Sequence, residues 1–252
     1  MADITIQGSD GSFSAYMATP ASGSGPGILV IQEIFGVNKV MRDLCDDFAS
    51  QGYIAVCPDI FWRIEPGIEL TDQSEEEWNK AFELMNKFLP DFEKGVRDLT
   101  AAMAHIRDRR ECTGKVGCVG YCLGGSLTYS MACMSDSDAS VGYYPVQIDD
   151  HLPYAEHIKK PAMFHIAEQD GFCPPESQEK IAEAFSKNSN ISMHLYPGVD
   201  HAFARLGGSN YDQAAASLAN QRTAEIFKTA LNWTLINWRN LQQIRKLLPK
   251  ID

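Results

Sequence analysis

No run in this 252-residue sequence approaches the ~18 uninterrupted apolar residues of a membrane span, and "GILVI" meets Gln32 and Glu33 at once. Basic residues are the minority, 22 against 33 acidic, for a net charge of −11. That balance argues against nucleic acid or an anionic membrane as partner, because holding phosphates needs a basic face. The seven cysteines include no Cys-x-x-Cys pair, so a zinc ribbon or redox dithiol has no footing. Their odd number disfavours a disulfide framework. The opening "MADITIQGSDGSF" has neither the basic nor the apolar region of a secretory signal, which predicts a cytoplasmic protein. Repeats, low-complexity tracts and linkers are also missing, so residues 1–252 are read as one domain, monomer or homodimer. Nothing calls for a metal or a cofactor.

What is present is alternation. Short β-rich runs ("ITIQ", "FSAYMAT", "GILVIQ", "YIAVCP", "KVGCVGY", "ASVGYY", "AMFHIA", "ISMHLYP") interleave with helical patterns at 39–51, 75–88, 91–109, 124–134, 175–187 and about 211–240. Several runs are apolar on both faces, as central strands of a parallel sheet are. The order predicts an α/β fold, a mainly parallel doubly wound sheet flanked by helices, without a separate cap domain. Ligands of such sheets bind beyond the carboxyl ends of the strands. Those ends carry Glu33, Asp59, Cys122, Glu168, Asp170, Asp200 and His201. One edge thus gathers a nucleophile, carboxylates and a histidine.

"GYCLGGS", residues 120–126, is a glycine-flanked strand-to-helix turn with Cys122 at its apex. A nucleophile on such a turn takes strained backbone angles, and its neighbours two away must be small. The helix start aims its N–H groups and positive dipole end at the sulfur, favouring thiolate and a developing oxyanion. The competing reading is a glycine-rich turn around a buried thiol. Of six histidines, His105 falls in a helical pattern, His165 and His194 in strands, and His151 and His157 in a polar stretch. His201 alone follows a late strand through a Pro-Gly turn, where the base of a nucleophile–acid–histidine order belongs. Asp170, after "AMFHIA", is favoured as the orienting acid, with Glu168 and Asp200 as competitors.

These residues resemble the dienelactone hydrolase (carboxymethylenebutenolidase) family of α/β hydrolases along essentially the whole chain. The resemblance rests on "QEIFGVN" at 32–38, "GYIAVCPD" at 52–59, "GKVGCVGYCLGG" at 114–125, "VGYY" at 141–144 and "DHAFAR" at 200–205. It implies Cys122 as nucleophile, His201 as base and Asp170 as third member. By the same resemblance Glu33 contacts the cysteine and helps activate it when substrate arrives, and the Ile34 and Leu123 amides form the oxyanion hole. Arg205 matches one of the family's arginines for a substrate carboxylate. The second has no counterpart, because "TDQSEEEWNKAF" at 71–82 is acidic, with Trp78 near the expected place; Arg63 is the candidate substitute. A less positive, more aromatic pocket follows, lined by Phe35, Trp62, Trp78, Tyr144 and Phe203. Pro145 and the C-terminal helix with Trp233 and Trp238 depart from the family pattern. The implied activity is cleavage of a small lactone or ester through a thioester. A broader carboxylesterase or thioesterase is the alternative, and a redox-sensing thiol protein the rival from another class.

Overall fold

A computed structural model describes residues 2–231. Eight strands form one sheet: β1 (Ala2–Gln7), β2 (Ser12–Ala18), β3 (Gly25–Ile31), β4 (Ile54–Pro58), β5 (Cys112–Tyr121), β6 (Ser140–Tyr143), β7 (Ala162–Ala167) and β8 (Ile191–Tyr196). Their order is β1-β2-β4-β3-β5-β6-β7-β8. β1 and β2 pair antiparallel, as do β2 and β4, and every later pairing is parallel. Ile28, Leu29 and Ile31 of β3 are fully buried, which explains why this strand reads as continuously apolar. Each such side chain stabilises the fold by about 1.5–3 kcal/mol through burial.

The described residues form six helices: α1 (Lys39–Ser50), α2 (Glu75–Phe88), α3 (Phe92–Arg107), α4 (Leu123–Met134), α5 (Pro175–Ser186) and α6 (Gln213–Leu231). Asn38 caps α1 by accepting from the Met41 amide at 3.2 Å, and Met41, Cys45, Phe48 and Ala49 give α1 one buried stripe. Ser74 caps α2 ahead of three glutamates that suit the positive helix end. Phe48 of α1 meets Phe227 of α6, so these two helices share one face of the sheet. On the other face α3 packs on α4, and a 3-10 run over Ile148–His157, between β6 and β7, packs against both α4 and α5. That run lies in the stretch read only as polar and proline-containing. The C-terminal helix begins at Gln213; Trp233 and Trp238 lie outside the described residues. None of the described helices is long and apolar enough to cross a membrane.

β3 lies between β4 and β5, so the chain leaves it towards one side first and returns to the other. A crevice opens where the connections diverge, at the carboxyl ends of β3 and β5.

Candidate active site

β5 ends at Tyr121, α4 begins at Leu123, and Cys122 alone makes the turn with φ 56° and ψ −118°. That backbone conformation is strained for any residue with a Cβ. Surrounding contacts impose it. A Cβ on Gly120 would lie 2.0 Å from the Gly124 carbonyl oxygen, and one on Gly124 would lie 2.3 Å from that of Ile31. Strand, turn and helix are in backbone contact, which only glycine allows at these positions. The Cys122 amide donates to the Tyr143 carbonyl at 3.1 Å and ties the turn to β6.

Because β3, β5, β6, β7 and β8 are neighbours in that order, the loops after them bring Glu33, Cys122, Tyr144, Asp170 and His201 together. The Gln169 amide donates to the Val199 carbonyl at 2.9 Å, clasping the loops after β7 and β8. Asp170 Oδ2 lies 2.8 Å from His201 Nδ1, and Asp170 Oδ1 accepts from the Phe172 amide at 2.8 Å. The competing carboxylates are otherwise engaged. Asp200 accepts from the His201 amide and Glu168 from the Gly198 amide. His201 Nε2 is buried, lacks a well-formed hydrogen bond and faces Cys122. Burial disfavours the imidazolium, but the Cys122 charge and the Asp170 hydrogen bond overcome it, pushing the pKa up to about 10. The rings of Phe172 and Tyr144 flank this imidazole at 4.9 and 5.0 Å.

Four other thiols differ from Cys122 in surroundings. Burial raises Cys45 and Cys118 above the ordinary thiol range, Cys133 to about 11 and Cys173 to about 12. They remain protonated and unreactive at neutral pH.

Glu33, expected to reach the cysteine when substrate arrives, is paired with Arg205. Its Oε2 and Oε1 accept from Arg205 Nε at 2.7 Å and Nη2 at 3.0 Å, and its side chain is 2% exposed. Glu33 and Cys122 share no hydrogen bond among the described residues. Arg205 Nη1 donates to Asp72 Oδ2 at 2.9 Å, and the guanidinium lies over the Phe35 ring at 4.8 Å. Arg205 is therefore no surface cation but a buried one between two carboxylates.

A cavity of about 60 Å³ opens onto Cys122 and His201. Ile34 and Leu123 border it beside the sulfur. Leu123 is the first residue of α4, so its amide has no acceptor within the helix. Phe35 and Trp78 line the cavity as expected, their rings edge to face at 5.0 Å. Three expected lining residues do not. Phe203 is fully buried behind Tyr144, at 5.6 Å. Tyr144 stands behind the Glu33–Arg205 pair, on a separate cavity of about 290 Å³. Trp62 stacks on Phe13 and donates its indole N–H to Asp98 at 2.9 Å, packed away from the cavity. Arg63 cannot stand in for the missing arginine either, because Asp98 and Asp10 hold it and its guanidinium lies over Trp62.

Sequence reasoning missed Phe82, Met85 and Leu89, which continue the Trp78 face of α2 across the cavity. Their spacing at intervals of four and three residues was the available signal. It also missed Asp72.

A buried acid–histidine pair facing a cysteine on a strand-to-helix turn, over this sheet, is the arrangement of an α/β hydrolase. The dienelactone hydrolase family model matches residues 13–231. A relative from Azospirillum brasilense is 52% identical over 233 residues, spanning 92% of this chain and 100% of its own. The carboxymethylenebutenolidase of Pseudomonas putida is 43% identical over 220 residues, 87% of this chain and 92% of that one. A crystal structure from Klebsiella pneumoniae superposes with a TM-score of 0.80 at 25% identity, covering 90% of this chain and 97% of the other. The chain belongs to the dienelactone hydrolase family.

Proposed function

We propose that this protein hydrolyses a small lactone or ester through Cys122, His201 and Asp170, by way of a thioester. The observation that carries the reading is the alignment of Asp170 Oδ2, His201 Nδ1 at 2.8 Å, and an unpartnered His201 Nε2 facing Cys122. His201 Nε2 takes the thiol proton, and Asp170 holds the ring and stabilises the imidazolium. The thiolate attacks the carbonyl carbon, a C–S bond forms, and the carbonyl electron pair moves onto oxygen. The amides of Ile34 and Leu123 receive that oxyanion. Collapse breaks the bond between the former carbonyl carbon and the ring or alkoxy oxygen, and the proton on Nε2 passes to that leaving oxygen. Neutral His201 then takes a proton from water, hydroxide attacks the thioester, and loss of thiolate releases the acid.

Lactone as substrate class is supported by the Pseudomonas putida relative, named a carboxymethylenebutenolidase. The mostly apolar walls of the cavity beside Cys122 suit the carbon skeleton of a small lactone or ester. We assign Glu33 to the holding of Arg205, with His201 as the base.

The test is rapid acid quench of the enzyme during turnover of carboxymethylenebutenolide, followed by intact-mass and peptide-mass analysis. An acyl adduct on Cys122, with turnover lost in Cys122→Ala, is the expected result. Turnover that survives in Cys122→Ala overturns the mechanism.

A further inference from the structure

The acidic stretch that supplies no arginine supplies an anion to the site instead. Asp72 reaches Arg205 from the loop before α2, its side chain 6% exposed. The Asp72 backbone carbonyl accepts the Trp78 indole N–H at 3.1 Å, and Gln73 Nε2 donates to Oδ1 at 2.5 Å. Glu77 fastens the same loop by accepting from the Thr71 amide at 3.0 Å and hydroxyl at 2.6 Å. Asp72 is thus held in place by the cap of the helix that roofs the cavity.

Three of the five guanidinium N–H donors of Arg205 are engaged, one on each nitrogen: Nε and Nη2 by Glu33, Nη1 by Asp72. Two carboxylates around one cation leave this wall of the cavity with one net negative charge. Apart from Cys122, His201 and Gln147 the remaining walls are apolar, with Ile34, Trp78, Phe82, Met85, Leu89 and Val146 contributing. An incoming carboxylate must compete with Asp72 for the Nη1 side of the guanidinium and meets a like charge in poorly screened surroundings. A neutral lactone or ester meets neither obstacle. Burial alone would raise the Asp72 carboxyl, but the Gln73 and Arg205 bonds hold it below its usual value, so it stays ionised at neutral pH.

We propose that Asp72 is a specificity-determining residue, closing Arg205 into a two-carboxylate clamp and selecting lactones and esters that carry no carboxylate of their own. The proposal rests on the hydrolase reading above and adds the charge of the substrate to it. Asp72 acts on substrate through Arg205, as a positioning group.

Carboxymethylenebutenolide and its methyl ester provide the test, since they share the lactone ring and differ by one charge. Wild-type enzyme is expected to favour the methyl ester in kcat/KM. Asp72→Asn keeps the shape and removes the charge, and it should shift the acid-to-ester ratio towards the acid by about tenfold. Asp72→Glu retains the charge and should keep the wild-type preference, which a merely structural role would not distinguish. A ratio that stays within about twofold in Asp72→Asn, or a wild type that favours the free acid, overturns the proposal while leaving the hydrolase reading intact. The wild-type comparison decides the matter even where Asp72→Asn fails to fold. No turnover of either lactone overturns the hydrolase reading, and this proposal with it.

Discussion

Glu33 and Arg205 lie 172 positions apart in the chain and meet through two hydrogen bonds, at 2.7 and 3.0 Å, in the wall of the candidate active site. Both side chains are almost sealed from water, at 2% and 6% exposure. A buried pair of this kind is weak as a net stabiliser, but breaking it strands a charge. Arg205→Met should therefore cost about 3–5 kcal/mol in urea unfolding. The double variant Glu33→Gln/Arg205→Met should cost less than Arg205→Met alone, because one of the stranded anions goes too. Equal costs would mean that Glu33 does not depend on Arg205 for its burial.

His201 sets a pH dependence with a definite sign. Its folded pKa, about 10, lies above the ordinary 6.5. The stabilisation it contributes is fully present below about 6.5 and is lost as pH rises through about 10. Unfolding free energies of wild type and His201→Asn should therefore converge between these values. In Cys122→Ala the charge that raises His201 most is gone, so the imidazole proton, followed by NMR, should titrate at lower pH. An unchanged midpoint would separate His201 electrostatically from Cys122.

Gly124→Ala would set a methyl carbon 2.3 Å from the Ile31 carbonyl oxygen and 2.5 Å from that of Gln32. Both are backbone atoms at the end of β3, so α4 must move away from the sheet. Overpacking on rigid backbone costs about 1–3 kcal/mol or more. The shift also carries Cys122 away from His201. Loss of both melting temperature and kcat is expected, and an alanine variant with wild-type values of both would show that the turn is not held by this contact.

The sheet was legible because its signal is local. Strands buried on both faces read as unbroken apolar runs, and "GYCLGG" encodes an approach of backbones that no other residue types allow. Asp170 was legible from its place after β7, since strand order fixes where a loop opens. The Asp72–Arg205 pair was not, because its partners are 133 residues apart and meet only once two irregular loops have taken shape. Trp62 and Arg63 misled for the same reason. Their nearness to β4 in sequence suggested the cavity, while the buried carboxylate of Asp98, 35 positions beyond Arg63, drew both away from it. Glu33 stood in the expected place, but its direction depended on an arginine at the far end of the chain. Periodicity reports which face a side chain occupies; it carries no information about which distant charge it will choose.

The strain at residue 122 has a consequence for how this scaffold changes its chemistry. The atoms that enforce the turn belong to Gly120, Gly124, Ile31 and Tyr143, none of which depends on what side chain the apex bears. Position and reactivity are therefore inherited separately. The backbone decides where the apex atom stands, and a single codon decides whether that atom is sulfur or oxygen.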